Sequence, residues 1–221
     1  SVRQGGSALG VTSKVPLIIT NTALAGGAGG VAAMGLAWRF FRLPSVDRIM
    51  NGVLAGLVAI TASCHLVSPL AAIFIGAVGG ALCVLSTMLL EHLEIDDAVG
   101  AVPVHLVAGI WGTLAVALCA PAGSWGEGVS RWAQLQTQLM GIIAVGAFCF
   151  CFSYLAFRVI NRYLMPLRVT ADDERVGLNV AEHAASSAVL DLIVQMDSQA
   201  RQGDFSRRVS VEPETEAARI A

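Results

Sequence analysis

The chain has 221 residues, of which 55% are hydrophobic and only 14% charged, at a mean hydropathy of +0.69, whereas soluble domains carry about 25% charged residues. A sequence so poor in charge cannot clothe a water-facing surface of ordinary polarity, so its solvent is lipid. With 14 basic and 16 acidic residues the net charge is -2, which excludes a nucleic-acid-binding surface; the apolar content excludes disorder.

A membrane-spanning helix needs about 20 mostly apolar residues. Five stretches qualify, at about 15–38, 49–67, 69–91, 101–120 and 132–160. The first is too long for a signal peptide and is followed by four more. Ser1 is not a start methionine, and residues 1–14 read as the end of a preceding segment, so the sequence reads as a fragment. Polar residues collect in the connectors: Arg39, Arg42 and Arg48 after the first span, Glu91 to Asp97 after the third, Pro121 to Arg131 after the fourth. Alternating sides puts Arg39, Arg42 and Arg48 with Arg158, Arg162 and Arg168, which predicts a cytoplasmic C-terminus by the positive-inside rule. From about Leu167 the composition turns polar, dividing the chain into a transmembrane domain, 1–166, and an aqueous tail, 167–221. Within the tail, Val189, Leu192, Ile193 and Met196 recur at helical spacing and predict an amphipathic helix over 188–200. The tail is either a loosely ordered terminus or a coupling element.

Glycine pairs four apart (Gly26 and Gly30, Gly52 and Gly56, Gly76 and Gly80) predict close helix packing. The run Ala25 to Gly30 lacks the Lys-Ser/Thr of a phosphate loop. Asn21, Thr22 and Thr61 lie at span depth and are read as interhelical hydrogen-bonding groups. The five cysteines, Cys64, Cys83, Cys119, Cys149 and Cys151, sit in apolar runs and behave as small hydrophobes; their spacing indicates neither a disulfide framework nor a metal site.

One residue stands out as chemistry. His105 follows Pro103 inside an apolar helix, and an ionisable group at such depth is a candidate functional site; the alternative is a neutral histidine bonded to a carbonyl of the next helix. Asp96 and Asp97 precede that helix and are read as its N-terminal caps. His65 and His92 lie at span ends and His183 in the tail, where histidine is ordinary. Nothing indicates a catalytic triad, zinc spacing or a dinucleotide fingerprint, so the chain is read as a conduit and not as an enzyme, with no cofactor and no metal.

These residues resemble the ammonium transporters of the Amt/Mep/Rh type. The resemblance rests on Gly5-Gly6-Ser7-Ala8, Asn21-Thr22-Ala23-Leu24-Ala25, Asn51 to Thr61, Ile95-Asp96-Asp97, Pro103-Val104-His105 with Gly109-Ile110-Trp111-Gly112, and Gly177-Leu178-Asn179 with Glu182-His183, in family order over about residues 4–185. It implies an all-α integral membrane protein of eleven helices built as an inverted repeat and assembled as a homotrimer with one pore per subunit. This chain would supply the end of helix six and helices seven to eleven, and the protein would lie in the plasma membrane.

By the same resemblance, His105 is the second of two histidines lining a narrow hydrophobic pore, and Ser7 helps receive the cation at the outer vestibule. An ammonium ion stripped of water in such a pore is pushed toward losing a proton, since burial lowers amine pKa values by up to about 3–5 units; ammonia then passes while histidine nitrogens donate or accept according to tautomer. The sequence departs from the family pattern at the outer gate, where Arg3 replaces a phenylalanine and Gln4 an asparagine, and at Leu106, where glycine is usual. Its tail reads His183-Ala184-Ala185 in place of His-Gly-Glu. The tail also looks like members fused to a cytoplasmic signalling module. The alternative to transport is therefore ammonium sensing, coupled through the tail to a signalling domain or cytoplasmic regulatory partner; a degenerate structural remnant is the third reading.

Overall fold

The computed structural model describes residues 14–42, 45–126, 128–171, 174, 193, 195–197 and 199–201. The described residues are organised as helices joined by turns. In chain order these are α1 (Val15–Phe41), α2 (Val46–Ile60), α3 (Pro69–His92), a π-helical turn (Val102–Val107) running directly into α4 (Ala108–Cys119), and α5 (Arg131–Tyr163). Among the described residues, four stretches are long and apolar enough to cross a membrane: Val15–Phe41, Pro69–His92, Val102–Cys119 and Arg131–Tyr163. Residues 1–149 form one compact unit and 150–221 another. In the tail, the described residues 193, 195–197 and 199–201 are helical; the rest of the expected amphipathic helix lies outside the described residues.

Within the first unit α1 packs against both α2 and α3, which also meet each other, while α4 rests on α2 and α3. Small residues permit this. Ala25 and Gly29, one turn apart on α1, lie against both neighbours: a Cβ on Gly56 or Gly76 would strike the Ala25 carbonyl oxygen, and one on Gly80 would strike that of Gly29. Gly79 is nearly as confined, with a Cβ placed 2.9 Å from that of Ala59. Helices without side chains at their crossing approach backbone to backbone, and in lipid this dispersion contact replaces the hydrophobic drive that water supplies elsewhere.

The second predicted span is only partly helical. α2 stops at Ile60, and the chain continues to Val67 through tight turns closed by Ser63 N–H to Ile60 O (3.1 Å) and Leu66 N–H to Ser63 O (2.8 Å). The departure from helix leaves carbonyls to be satisfied, and the fully buried Asn21 provides for two of them: its Nδ2 donates to Cys64 O and Val67 O, both at 2.9 Å. Asn21 is thus the interhelical link expected of it. Thr22 and Thr61 instead bond back to their own helices, at Ile18 O (2.7 Å) and Leu57 O (2.9 Å), as hydroxyls in helices commonly do.

Outward, the chain is apolar. Val31, Leu70, Phe74 and Leu89 are exposed, as are Leu139, Met140, Ile143 and Phe148 along α5, and no residue of α5 is buried. An exposed surface of this kind suits hydrocarbon and not water.

Candidate functional site

His105 lies within the π-helical turn. Pro103 contributes no N–H, and the Ala108 N–H is shared between the Pro103 and His105 carbonyls, so the chain makes one wide turn before α4 begins. Such turns occur often at functional sites. Pro103 and Val104 are buried in the bundle, whereas His105 and Leu106 are exposed on the opposite side. The imidazole is therefore directed out of the four-element bundle rather than into it, and among the described residues no carbonyl of a neighbouring helix partners it as the alternative sequence reading required.

It opens onto a groove of about 420 Å³ between α4 and the first half of α5, lined by His105, Leu106, Gly109, Ile110, Thr113, Gly141, Ile142, Val145, Gly146 and Cys149. Along the π-helical turn and α4, His105, Gly109 and Thr113 follow at four-residue spacing and line the same side of the groove. Across from them Gly141 and Gly146 keep the groove wide: a Cβ at either position would meet nothing within 4 Å. The walls are otherwise mostly aliphatic. A titratable group in such surroundings is the only side chain of the groove able to both donate and accept through ring nitrogens.

The remaining motif residues serve as the frame. The Trp111 Nε1–H donates to Ile75 O at 3.0 Å, and its ring meets Phe74 edge-on at 6.2 Å, anchoring α4 to α3. Gly112 lets α4 touch α2, where a Cβ would come within 2.8 Å of the Ala59 Cα. At the groove's far end the Arg131 guanidinium donates to the Leu118 carbonyl (2.7 Å), the Ala120 carbonyl (3.2 Å) and that of Ala117, tying the start of α5 to the last turn of α4.

The start of the π-helical turn is capped by one of the two expected acids. Asp97 accepts from the Ala101 and Val102 N–H groups, both at 2.8 Å, while Asp96 is exposed and borders a shallow pocket with Glu91 and Pro103. Asn51 Nδ2 donates to Val99 O at 3.3 Å, and Arg48 pairs with Glu91 at 3.0 Å while lying 3.6 Å over the Phe41 ring. These contacts hold the turn's entry against α2 and α3. Ser7 and Arg3 lie outside the described residues, as does His183. Among the described residues no group of three or more His, Cys, Asp or Glu could hold a metal ion.

Comparison with known proteins identifies the frame. The sequence profile of the Ammonium Transporter Family matches residues 4–188. This chain belongs to the ammonium transporter family. It is 42% identical over 217 residues to a putative ammonium transporter of Synechocystis sp., covering 98% of this chain and 40% of that protein. With the ammonium transporter Amt2 of Archaeoglobus fulgidus it shares 36% identity, over 78% of this chain and 39% of the relative. Among solved structures, a sensor Amt protein superposes with a TM-score of 0.74 at 38% identity, covering 81% of this chain and 44% of that one. The Saccharomyces cerevisiae Mep2 structure gives 0.67 at 30%, covering 76% and 40%. The chain thus spans about 40% of the length of the curated relatives it matches. Its apolar helices and its family make it a multi-pass membrane protein.

Sequence reasoning singled out His105 and Asp97 and predicted the glycine crossings that the helices make. It did not find the far wall of the groove, Gly141 and Gly146, although two glycines five apart in an apolar helix were a visible signal. It also did not find the Arg131 tie, which involves a residue that reads as an ordinary loop cation.

Proposed function

We propose that this chain forms one wall of a path for ammonium and ammonia across the membrane, with His105 as the polar group that handles the substrate. The observation that carries this reading is the placement of His105: the π-helical turn directs an ionisable side chain outward into a groove that is otherwise mostly aliphatic and glycine-lined. Family membership supports ammonium as the substrate. The groove is open in this chain, so a closed pore requires an opposing wall, which the inverted-repeat architecture assigns to the part of the fold that this chain does not span. In such a path ammonium sheds water and a proton, ammonia crosses against the aliphatic walls, and the imidazole holds it by donating or accepting a hydrogen bond. Potassium has no proton to shed and is refused.

Around this site we place Ser7 at the outer mouth, Arg3 in the altered gate beside it, and Asp96 and Asp97 at the opposite end, with Asp97 setting the turn that holds His105. The membrane domain covers 1–166 and the tail 167–221. The protein works as a homotrimer in the plasma membrane with its C-terminus in the cytoplasm, without cofactor or catalysis. In the full-length protein, His105→Ala lowers ammonium uptake by cells at least tenfold; uptake equal to that of the unsubstituted protein would refute the assignment of the path.

Sensing is the second reading, favoured by the structural likeness to a sensor Amt protein. It predicts that ammonium binds with little flux and that binding changes the tail, read as altered protease cleavage between 167 and 221 on adding ammonium.

A further inference from the structure

We propose that Thr113 is a second substrate station on the same path, accepting a hydrogen bond from an N–H of ammonia or ammonium eight residues beyond His105 along the groove. This inference rests on the reading of the groove as the path. Among the described residues, Thr113 and Cys149 are the only groove-lining residues with polar side-chain atoms besides His105, and thiol sulfur is a weak acceptor. The Thr113 hydroxyl has a fixed polarity. Its Oγ1–H donates to the Gly109 carbonyl at 2.8 Å, so toward the groove the oxygen presents lone pairs and no proton. An oxygen held in this way pairs with N–H donors and offers nothing to an acceptor such as a chloride ion or a carbonyl.

The position gives this polarity a use. On the α4 C-terminal side of the imidazole, which faces the outer mouth, a desolvated N–H donor beside Gly141, Val145 and Gly146 finds only aliphatic surface, and leaving such a donor unpaired is costly. Thr113 lines the same side of the groove as His105 and Gly109 and is the next oxygen acceptor on that side in the direction of the α4 C-terminus. Every N–H the hydroxyl accepts is one that ammonia carries in threefold supply and that methylamine carries with one fewer.

The test uses the full-length protein in liposomes, with ammonium flux measured over a concentration series for the unsubstituted protein, Thr113→Val, Thr113→Ser and His105→Ala. Thr113→Val removes the hydroxyl at nearly constant volume. It raises KM about three- to tenfold, the range for loss of one neutral hydrogen bond, and leaves the thermal midpoint and the size-exclusion profile unchanged. Thr113→Ser, whose hydroxyl makes the same bond to Gly109, stays within about twofold of the unsubstituted protein. Should valine perturb folding, Thr113→Ala reports the same loss of the hydroxyl. Kinetics of Thr113→Val equal to those of the unsubstituted protein, with flux lost in His105→Ala, would overturn the second station and leave the path intact. If neither substitution altered flux, the path itself would fall with it.

Discussion

At the level of single residues, the fold depends on groups that satisfy backbone the membrane cannot. Asn21 carries two carbonyls of the turn that ends the second span, and hydrocarbon offers no replacement for them. Asn21→Leu therefore destabilises by about 1–3 kcal/mol, seen as a lower thermal midpoint in detergent, whereas Thr61→Val, which removes only a bond within its own helix, is nearly neutral. Asp97→Ala uncaps the turn that carries His105 and costs about 1 kcal/mol; because it acts on the entry to the site, it lowers ammonium flux as well as stability. In the tail, Arg168 donates to both Glu174 oxygens, at 2.8 and 3.2 Å, and this hydrogen bond holds the Glu174 carboxyl below the ordinary glutamate value. A depressed carboxylate contributes above its ordinary pKa and loses that contribution as the pH falls through its lowered one. Protection of the Glu174 amide, bonded to Thr170 O at 3.0 Å, is thus greater at pH 7 than in Arg168→Ala, and the difference disappears in acid. The pair is fully exposed, so the global midpoint stays where it is.

Among elements, the crossings of α1 with α2 and α3 decide whether the unit forms. Gly80→Val places branched bulk against the Gly29 carbonyl, backbone that cannot yield as a side chain can. Overpacking of this sort costs about 1–3 kcal/mol and more where the backbone must move, so Gly80→Val lowers the yield of folded protein while Gly27→Val, facing open space, does not. The glycine crossings were legible in the sequence because small residues four apart leave a one-sided pattern. Helix positions were legible for the same reason that hydropathy works in membranes: length and apolarity are both forced by the bilayer. What the sequence concealed was irregular backbone. The end of α2 at Ile60 and the wide turn at Val102–Val107 depend on which distant group takes up the freed hydrogen bonds, and no local pattern names Asn21 as that group. Pro103 was the one visible sign of the turn. The direction of His105 followed from that turn, so the sequence singled out the residue but left open whether it faced a helix or the groove that it lines.

For the whole molecule, the exposed apolar residues of α5 and the open groove beside Gly141, Val145 and Cys149 fit the proposed role as one wall of a path. The proposed homotrimer predicts that native mass spectrometry of the detergent-extracted full-length protein finds three copies. The groove was beyond sequence reasoning because it is created by the distance between α4 and α5, which Arg131 and the bare Gly141 and Gly146 maintain. Substituting Gly146→Leu fills that space and reduces flux without lowering the thermal midpoint. The most direct test of the central claim is the ammonium-evoked current, with potassium as control, in liposomes holding the full-length protein or its His105→Ala variant. A current selective for ammonium that is lost in His105→Ala is the predicted result. A current that persists unchanged in the variant, or that potassium carries equally well, would contradict the account.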